Sequence, residues 1–262
     1  MSLHVELVEP EVTRLRLRSW QGRLAGYEVS AYIMRGVLID SGPPRARHDL
    51  QRAVERFAPR GAIITHWHED HAGNADELAA AGVPLLLAAR IESSLRAPDN
   101  IHLYRRLVWG APRALSVPVV GFDPSPLTIL SLPGHTSDHR VVWDAERRVL
   151  VTGDLFLGVK VRVAHHSESP RTLVASLRAA AALNPRVLLD AHRGAVHAPL
   201  PLLHAKIAWM DETIGEIEAL HDRGLDDREV QRRVLGRETL VGWISRGEYS
   251  KLALVQAVLN DR

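Results

Sequence analysis

The sequence contains no cysteine among its 262 residues. Disulfide bridges, thiolate metal sites and cysteine nucleophiles are therefore all excluded. Any metal ion would have to be held by the side chains of His, Asp or Glu. Such ligands suit zinc, iron or manganese.

Long hydrophobic runs are also missing, since no stretch offers eighteen uncharged apolar residues. The first residues, MSLHVELVEPEV, lack a basic segment followed by an apolar one. We therefore expect a soluble, cytoplasmic protein that does not bind a membrane. A hydrophobic fraction of 46% with 24% charged residues is ordinary for a globular chain, and the length suffices for a large core.

Lysine is scarce, with 3 residues against 30 arginines, and the net charge is only +2. We interpret the arginine excess as a genomic bias rather than as a phosphate-binding patch. No dense basic run of the kind that grips nucleic acid is present. The expected partner is a small-molecule substrate, and a nucleic acid is disfavoured without being excluded.

Strand and helix patterns alternate over the first three quarters of the chain. From about residue 200, three amphipathic helical patterns follow with no strand between them. We therefore expect one domain at residues 1–199 and a helical C-terminal extension at residues 200–262. The extension either packs on the domain or also mediates formation of a homodimer. A capping box from Ser245 to Glu248 is expected to open the last helix.

The segment ITHWHEDHAG, residues 64–73, places three histidines and two carboxylates within six positions. A short apolar strand precedes it and a helical pattern follows, so the cluster is expected on a loop at the end of a buried strand. Residues two apart in an extended loop point the same way, so His66 and His68 can approach one metal. Asp70 and His71, at the turn into the helix, can be aimed a short distance away. The alternative is a solvated helix start capped by Asp70, but such a density of histidine favours a metal site.

The segment THWHEDHAG resembles the H-x-H-x-D-H signature of the metallo-β-lactamase superfamily. Further segments resemble later motifs of that family, in order and at the ends of expected strands; they are DSG at 40–42, LPGHT, VTGDLF and DAHRG. The resemblance covers about residues 1–197. The segment PGHTSDH is similar to the corresponding loop of the glyoxalase II-like and lactamase-β-like branch.

The resemblance implies an α+β fold, an αββα four-layer sandwich of two mixed sheets with helices outside, to which the helical C-terminal extension is added. It also implies two divalent metal ions, with Zn²⁺ favoured and Mn²⁺ or Fe as alternatives. Carried over to this sequence, the implied ligands are His66, His68 and His135 for one ion, Asp70, His71 and His192 for the other, and Asp154 as a bridge between both.

The implied reaction is hydrolysis by a metal-bridging hydroxide, with Asp70 and Asp154 as catalytic residues. Asp154 argues against a true β-lactamase and favours a small ester, thioester or lactone substrate. A metal-dependent phosphodiesterase or ribonuclease is the first alternative. A mononuclear iron oxidoreductase of the persulfide dioxygenase type is the second, although it uses fewer ligands, so His71 and His192 argue against it.

Residues outside the implied metal ligands are candidates for substrate binding, namely Tyr104, Lys160, His165, His166 and Arg193. Residues 99–112, which include Tyr104, either cover the site or form an ordinary surface helix. The adjacent histidines either supply the leaving-group acid or are solvated. Arg193 stands where the family usually has glycine, in a loop that reads like GHG, and it either contacts the site or points to solvent.

Overall fold

The computed structural model describes residues 3–17 and 28–262. The first sheet contains six strands in chain order. Its first four strands pair antiparallel, and the last three pair parallel. The strands are β1 (His4–Glu9), β2 (Val12–Leu17), β3 (Val29–Met34), β4 (Val37–Ile39), β5 (Gly61–Ile63) and β6 (Leu85–Leu86).

The second sheet has the strand order β12-β11-β9-β8-β7. Strands β9 and β11 pair parallel, and the other pairs are antiparallel. The strands are β7 (Thr128–Ser131), β8 (Arg140–Asp144), β9 (Val149–Gly153), β11 (Val187–Asp190) and β12 (Gly194–His197), while β10 (Ala164–His165) lies outside this sheet.

Helices cover the outer face of each sheet. The first sheet carries α1 (Arg47–Phe57), α2 (Glu69–Ala72), α3 (Ala75–Ala80) and α4 (Ala89–Arg96), and α5 (Leu103–Val108) follows them. The second sheet carries α6 (Pro170–Ala182), α7 (Leu200–Asp222), α8 (Asp227–Val234) and, beyond the short α9 (Leu240–Ile244), α10 (Lys251–Asn260).

Side-chain alternation along the strands builds the layers. On β3, Tyr32 and Met34 join the cluster between the two sheets, while Ala31 and Ile33 face the helices that cover the first sheet. Because both faces are covered, all six residues of β3 are buried. The expected α+β sandwich of helix, sheet, sheet and helix is confirmed.

The C-terminal helices share a core with the second sheet. Leu203 and Ile217 of α7 and Val255 of α10 belong to the same buried cluster as Leu150 of β9 and Leu188 of β11. Among the described residues, no helix is both long enough and apolar enough to span a membrane. The expected cytoplasmic location stays a prediction.

The expectation of a tail without strands is wrong. A two-residue strand, β13 (Tyr249–Ser250), pairs antiparallel with β10. The expected capping box is also wrong, because Ser245 ends α9 and Ser250 caps α10, where its hydroxyl accepts a hydrogen bond from the Ala253 amide.

Most loops with candidate ligands follow the carboxyl ends of parallel strands. Parallel pairing places the carboxyl ends of β4 and β5 at one edge of the first sheet, and those of β9 and β11 at one edge of the second. Loops that leave these ends carry the family-like motifs, so side chains distant in sequence can meet there.

Gly134, directly before His135, is required by close packing. Its φ is +133°, and a Cβ added there would lie 2.4 Å from the Leu173 Cα. We predict that Gly134→Ala lowers the free energy of unfolding by about 3 kcal/mol or more, because backbone strain and overpacking add. The matched control is Gly224→Ala, at φ +87° with nothing within 4 Å, which should cost only about 1–2 kcal/mol. Equal losses in urea unfolding would contradict the proposed packing constraint.

Candidate metal centre

The loops after four strands bring the seven implied ligands together. Residues 66–71 follow β5, His135 follows β7, Asp154 comes directly after β9, and His192 follows β11. They form two groups, and within each group the ligand atoms lie within 4.8 Å of one another. The first group is His66, His68, His135 and Asp154, and the second is Asp70, His71 and His192.

The first group is a convergence of three imidazoles. The Nε2 atoms of His66 and His135 each lie 3.1 Å from Nδ1 of His68. All three rings are buried. Asp154 approaches the same point, with its Oδ2 atom 3.5 Å from Nε2 of His135. Three ring nitrogens and a carboxylate oxygen around one point are a donor set typical of zinc.

The second group surrounds the other oxygen of Asp154. Oδ1 of Asp154 lies 3.2 Å from Nε2 of His71 and 3.3 Å from Nε2 of His192. Oδ2 of Asp70 lies 3.8 Å and 3.6 Å from the same two nitrogens. Asp154 therefore presents one oxygen to each group of ligands.

Asp40 fixes the orientation of His71. Its Oδ2 atom accepts a hydrogen bond from Nδ1 of His71 at 2.8 Å and another from the Thr65 hydroxyl at 2.9 Å. Its Oδ1 atom accepts from the Thr65 amide at 2.8 Å. Because a carboxylate only accepts, Nδ1 of His71 carries the proton and the lone pair of Nε2 faces the second group. The sequence analysis assigned Asp40 to a turn motif and missed this orienting role.

Other histidines are anchored in the same way. The Thr65 hydroxyl oxygen lies 3.0 Å from Nδ1 of His66, and it can accept because its own proton goes to Asp40. Nδ1 of His192 donates to the backbone carbonyl of Glu28 at 2.8 Å. These bonds leave the Nε2 lone pairs of both rings directed at the ligand groups.

The protonation states fit divalent cations. Burial lowers the pKa of His66 and His68 well below the usual range, and neighbouring histidines add to the effect. Burial raises the pKa of Asp154, but His71 and His192 outweigh it and hold that pKa well below the usual range. Nε2 of His71 and Oδ1 of Asp154 are buried, and neither makes a hydrogen bond within the described part of the chain. Burial lowers the pKa of His71 too, but Asp154 and Asp70 outweigh it and hold that pKa well above the usual range, so a cation at the second group would replace a proton on this ring. The neutral rings of His66 and His68, the ionised Asp154 carboxylate and the donor atoms without hydrogen bonds fit bound metals.

His139 is a positioning residue that the sequence analysis did not single out. Its Nδ1 atom donates to the Leu132 carbonyl at 3.1 Å, and its Nε2 atom accepts from the Asp154 amide at 3.2 Å. Burial lowers its pKa to about 3, so the ring stays neutral. The segment PGHTSDH contained this residue, but its partner lies on another strand end.

A buried ion-pair network ties α5 and the tail to the histidine loop. Nε of Arg105 donates to Oε1 of Glu69 at 2.7 Å, and its NH1 group donates to Oε1 of Glu248 at 3.0 Å. The Tyr104 hydroxyl donates to Oε2 of Glu248 at 2.7 Å. Burial raises the pKa of Glu248, but hydrogen bonds from His165, Tyr104 and Arg105 lower it to about 2. The network thus keeps an ionised carboxylate beside the site.

A cavity of about 660 Å³ opens onto both ligand groups. Tyr104 lines it, together with His68, Asp70, His135 and Asp154. Residues 99–112 therefore contribute to the wall of the site rather than forming only a surface helix.

The remaining candidates for substrate binding lie outside the residues that line this cavity. Lys160 and His166 are exposed, and Nε of Arg193 donates to the Leu157 carbonyl at 2.7 Å. His165 is buried, with Nδ1 2.7 Å from the Ser167 hydroxyl. Their roles in substrate binding stay predictions.

Lys206 is a buried cation in the cavity wall. Its ammonium donates to the Phe156 carbonyl, and burial lowers its pKa from 10.5 to about 8. Between pH 8 and pH 10.5 this side chain is protonated in the unfolded chain and largely neutral in the folded one. The free energy of unfolding of the wild type therefore rises with pH over this range.

We predict that Lys206→Met removes this pH dependence. The free energy of unfolding of the variant minus that of the wild type should fall by about 3 kcal/mol between pH 8 and pH 10.5. Urea unfolding of both proteins across this range measures it. A difference that does not change with pH would show that Lys206 keeps its usual pKa in the folded state.

We predict that Asp40→Asn weakens metal binding at the second ligand group by about 10- to 100-fold, because the Thr65 amide holds the oxygen of the new side chain and its nitrogen cannot accept the hydrogen bond from Nδ1 of His71. Asn tolerates the φ of +65° at this position, so the backbone is preserved. The matched control is Asp49→Asn, at a buried carboxylate of α1 that pairs with Arg52. Competitive titration with a chelator measures both affinities, and an unchanged affinity would exclude the orienting role of Asp40.

Several curated proteins are similar in sequence to part of this chain. A beta-lactamase-like protein 2 homolog from Caenorhabditis elegans is 24% identical over 177 residues, which are 59% of this chain and 54% of that protein. An atrochrysone carboxyl ACP thioesterase from Aspergillus fumigatus is 29% identical over 168 residues, 59% of this chain and 48% of the thioesterase. A hydroxyacylglutathione hydrolase from Bdellovibrio bacteriovorus is 26% identical over 126 residues, 48% of this chain and 45% of the hydrolase. The chain spans about half the length of these curated relatives.

Solved structures share the fold. A metallo-beta-lactamase family protein from Thermus thermophilus superposes with a TM-score of 0.69 at 17% identity, over 97% of this chain and 95% of that one. A metallo-beta-lactamase from Pontibacter korlensis gives a TM-score of 0.57 at 16% identity, over 80% of this chain and 99% of that one. The family model of the metallo-beta-lactamase superfamily matches residues 26–192, which hold all seven implied ligands. The chain belongs to the metallo-beta-lactamase superfamily.

Proposed function

We propose that this chain is a hydrolase that uses two divalent ions, with zinc favoured, to cleave an ester, thioester or lactone. The observation that carries the proposal is the position of Asp154, whose two oxygens face two separate groups of histidines. A single shared carboxylate between two donor sets is the arrangement expected for paired metals in hydrolysis.

When bound, divalent cations would polarise the scissile carbonyl and lower the pKa of a bound water. Asp70 lines the cavity and lies beside His71 and His192, so its carboxylate is placed to orient the attacking water and to accept its proton. His139 and Asp40 hold Asp154 and His71 in place, which keeps this arrangement rigid.

The residues favour this reaction over the alternatives. A mononuclear iron oxygenase needs fewer ligands, whereas His71 and His192 complete a second group here. A phosphodiester would bring a negative charge into the cavity, and the cationic side chains of the lining are already engaged with protein groups. Of the two Lys and Arg side chains among the described lining residues, Arg105 is paired with Glu69 and Glu248, and Lys206 is buried against the Phe156 carbonyl. The relatives named as a thioesterase and as a hydroxyacylglutathione hydrolase support hydrolysis.

We predict that the zinc-loaded protein hydrolyses carboxyl esters or thioesters, that a chelator abolishes this activity and that added zinc restores it. His192→Ala should lower kcat/KM by about 100-fold or more, because one metal group loses a ligand. The matched control is His204→Ala, at an exposed position of α7. Assays with p-nitrophenyl and thioester substrates give the rates.

Parallel assays with bis-p-nitrophenyl phosphate and with a persulfide in an oxygen electrode test the two alternatives. Cleavage of the phosphodiester alone, or oxygen uptake with a persulfide and no ester hydrolysis, would contradict the proposal.

A further inference from the structure

The cavity has two different parts. One part is the metal centre, since five of the seven implied ligands line the cavity, namely His68, Asp70, His135, Asp154 and His192. A substrate in this cavity can therefore present a bond to the metal centre while the rest of the molecule contacts other lining residues.

The other part is an apolar wall, and the C-terminal helices α7, α9 and α10 supply seven of its fifteen residues. Segments far apart in sequence supply the apolar wall, so no single sequence motif predicts it. The apolar wall consists of Val108, Trp109, Leu157, Val161, Val163, Ala164, Pro170, Leu173, Trp209, Met210, Ile214, Val241, Ile244, Leu254 and Val258.

The charged groups in the lining are engaged with other protein groups. Arg105 is held by Glu69 and Glu248, and Glu168 accepts a hydrogen bond from the His165 amide at 3.0 Å. The ammonium of Lys206 is directed at a backbone carbonyl. The lining thus favours carbon-rich over multiply charged ligands, because burial of a charged ligand without paired charges is costly.

Two short helices beside the cavity also expose large apolar side chains. On α5, Leu103 is 71% exposed and Leu107 is 56% exposed, while Val108 of the same helix lines the cavity. On α9, Trp243 is 75% exposed and Ile244 both lines the cavity and is 56% exposed. The apolar wall therefore adjoins exposed apolar side chains on these two helices, where a long apolar group can enter.

We propose that the apolar wall binds the acyl group of the substrate, so that the substrate is an ester or thioester of a hydrophobic acid of medium chain length. This inference rests on the proposed hydrolase function, and it narrows the substrate class from esters and thioesters in general to those of hydrophobic acids. The cavity volume of about 660 Å³ lies within the range of sites that enclose most of a drug-sized ligand.

A chain-length series tests the inference. We expect kcat/KM of the zinc-loaded protein for p-nitrophenyl esters to rise by about fourfold per added methylene from acetate to octanoate or decanoate, with all esters below their micelle concentrations. The rise should then stop as the cavity fills. Values of kcat/KM that are flat or falling from acetate onward would overturn the inference.

Variants localise the effect. Val161→Phe and Val241→Phe each replace a half-buried valine of the wall by a larger aromatic side chain that fills part of the cavity. Each should therefore lower the decanoate-to-acetate ratio of kcat/KM by about tenfold. The matched control is Val120→Phe, at a residue that is 67% exposed and outside the cavity, which should leave the ratio unchanged. Equal ratios in all three variants would overturn the assignment of this wall to the acyl group.

A binding measurement separates this inference from the hydrolase proposal. Trp109 and Trp209 line the cavity, so 1-decanol should change the tryptophan fluorescence of the zinc-loaded protein, whereas 1-butanol at the same concentration should not. Binding of decanol without hydrolysis of any ester would overturn the hydrolase proposal and retain the apolar ligand class. Ester hydrolysis without decanol binding or length preference would overturn the present inference and retain the hydrolase.

Discussion

The carboxylate of Asp154, buried between two groups of histidines, is the interaction on which the rest of the site depends. Its two oxygens lie 3.2–3.5 Å from ring nitrogens of His71, His135 and His192. Nε2 of His71 and Oδ1 of Asp154 are buried without hydrogen bonds, which costs free energy unless a further charge pairs with them. Divalent cations would supply that charge, because each can accept lone pairs from several neutral imidazoles and from the shared carboxylate.

The fold supplies this interaction at the edge of a rigid sandwich. The ligand loops begin at strand ends, and hydrogen bonds from the rings to neighbouring groups then fix their orientation. Nδ1 of His71 donates to Asp40, and Nδ1 of His192 donates to the Glu28 carbonyl. The C-terminal helices complete the outer layer and also supply seven of the fifteen residues of the apolar wall, so the helices that pack on the second sheet also shape the cavity. The Arg105 network joins these helices to the histidine loop.

Local motifs were predictable because their chemistry is local. The density of histidine at residues 66–71 predicts the cluster, and the apolar run before it predicts the preceding strand. The sandwich itself followed from family resemblance and not from periodicity. Distant partners could not be predicted, since Glu69 and Arg105 are 36 residues apart and Arg105 and Glu248 are 143 apart. The strand β13 was missed because two residues carry no periodic signal.

Elemental analysis of protein purified without a chelator, with wild type beside Asp154→Ala and His192→Ala, tests the central claim most directly. We expect about two divalent ions per chain in the wild type, because two complete ligand groups share one carboxylate. Both variants should hold fewer ions. A single iron per chain, unaffected by His192→Ala, would contradict the dinuclear centre.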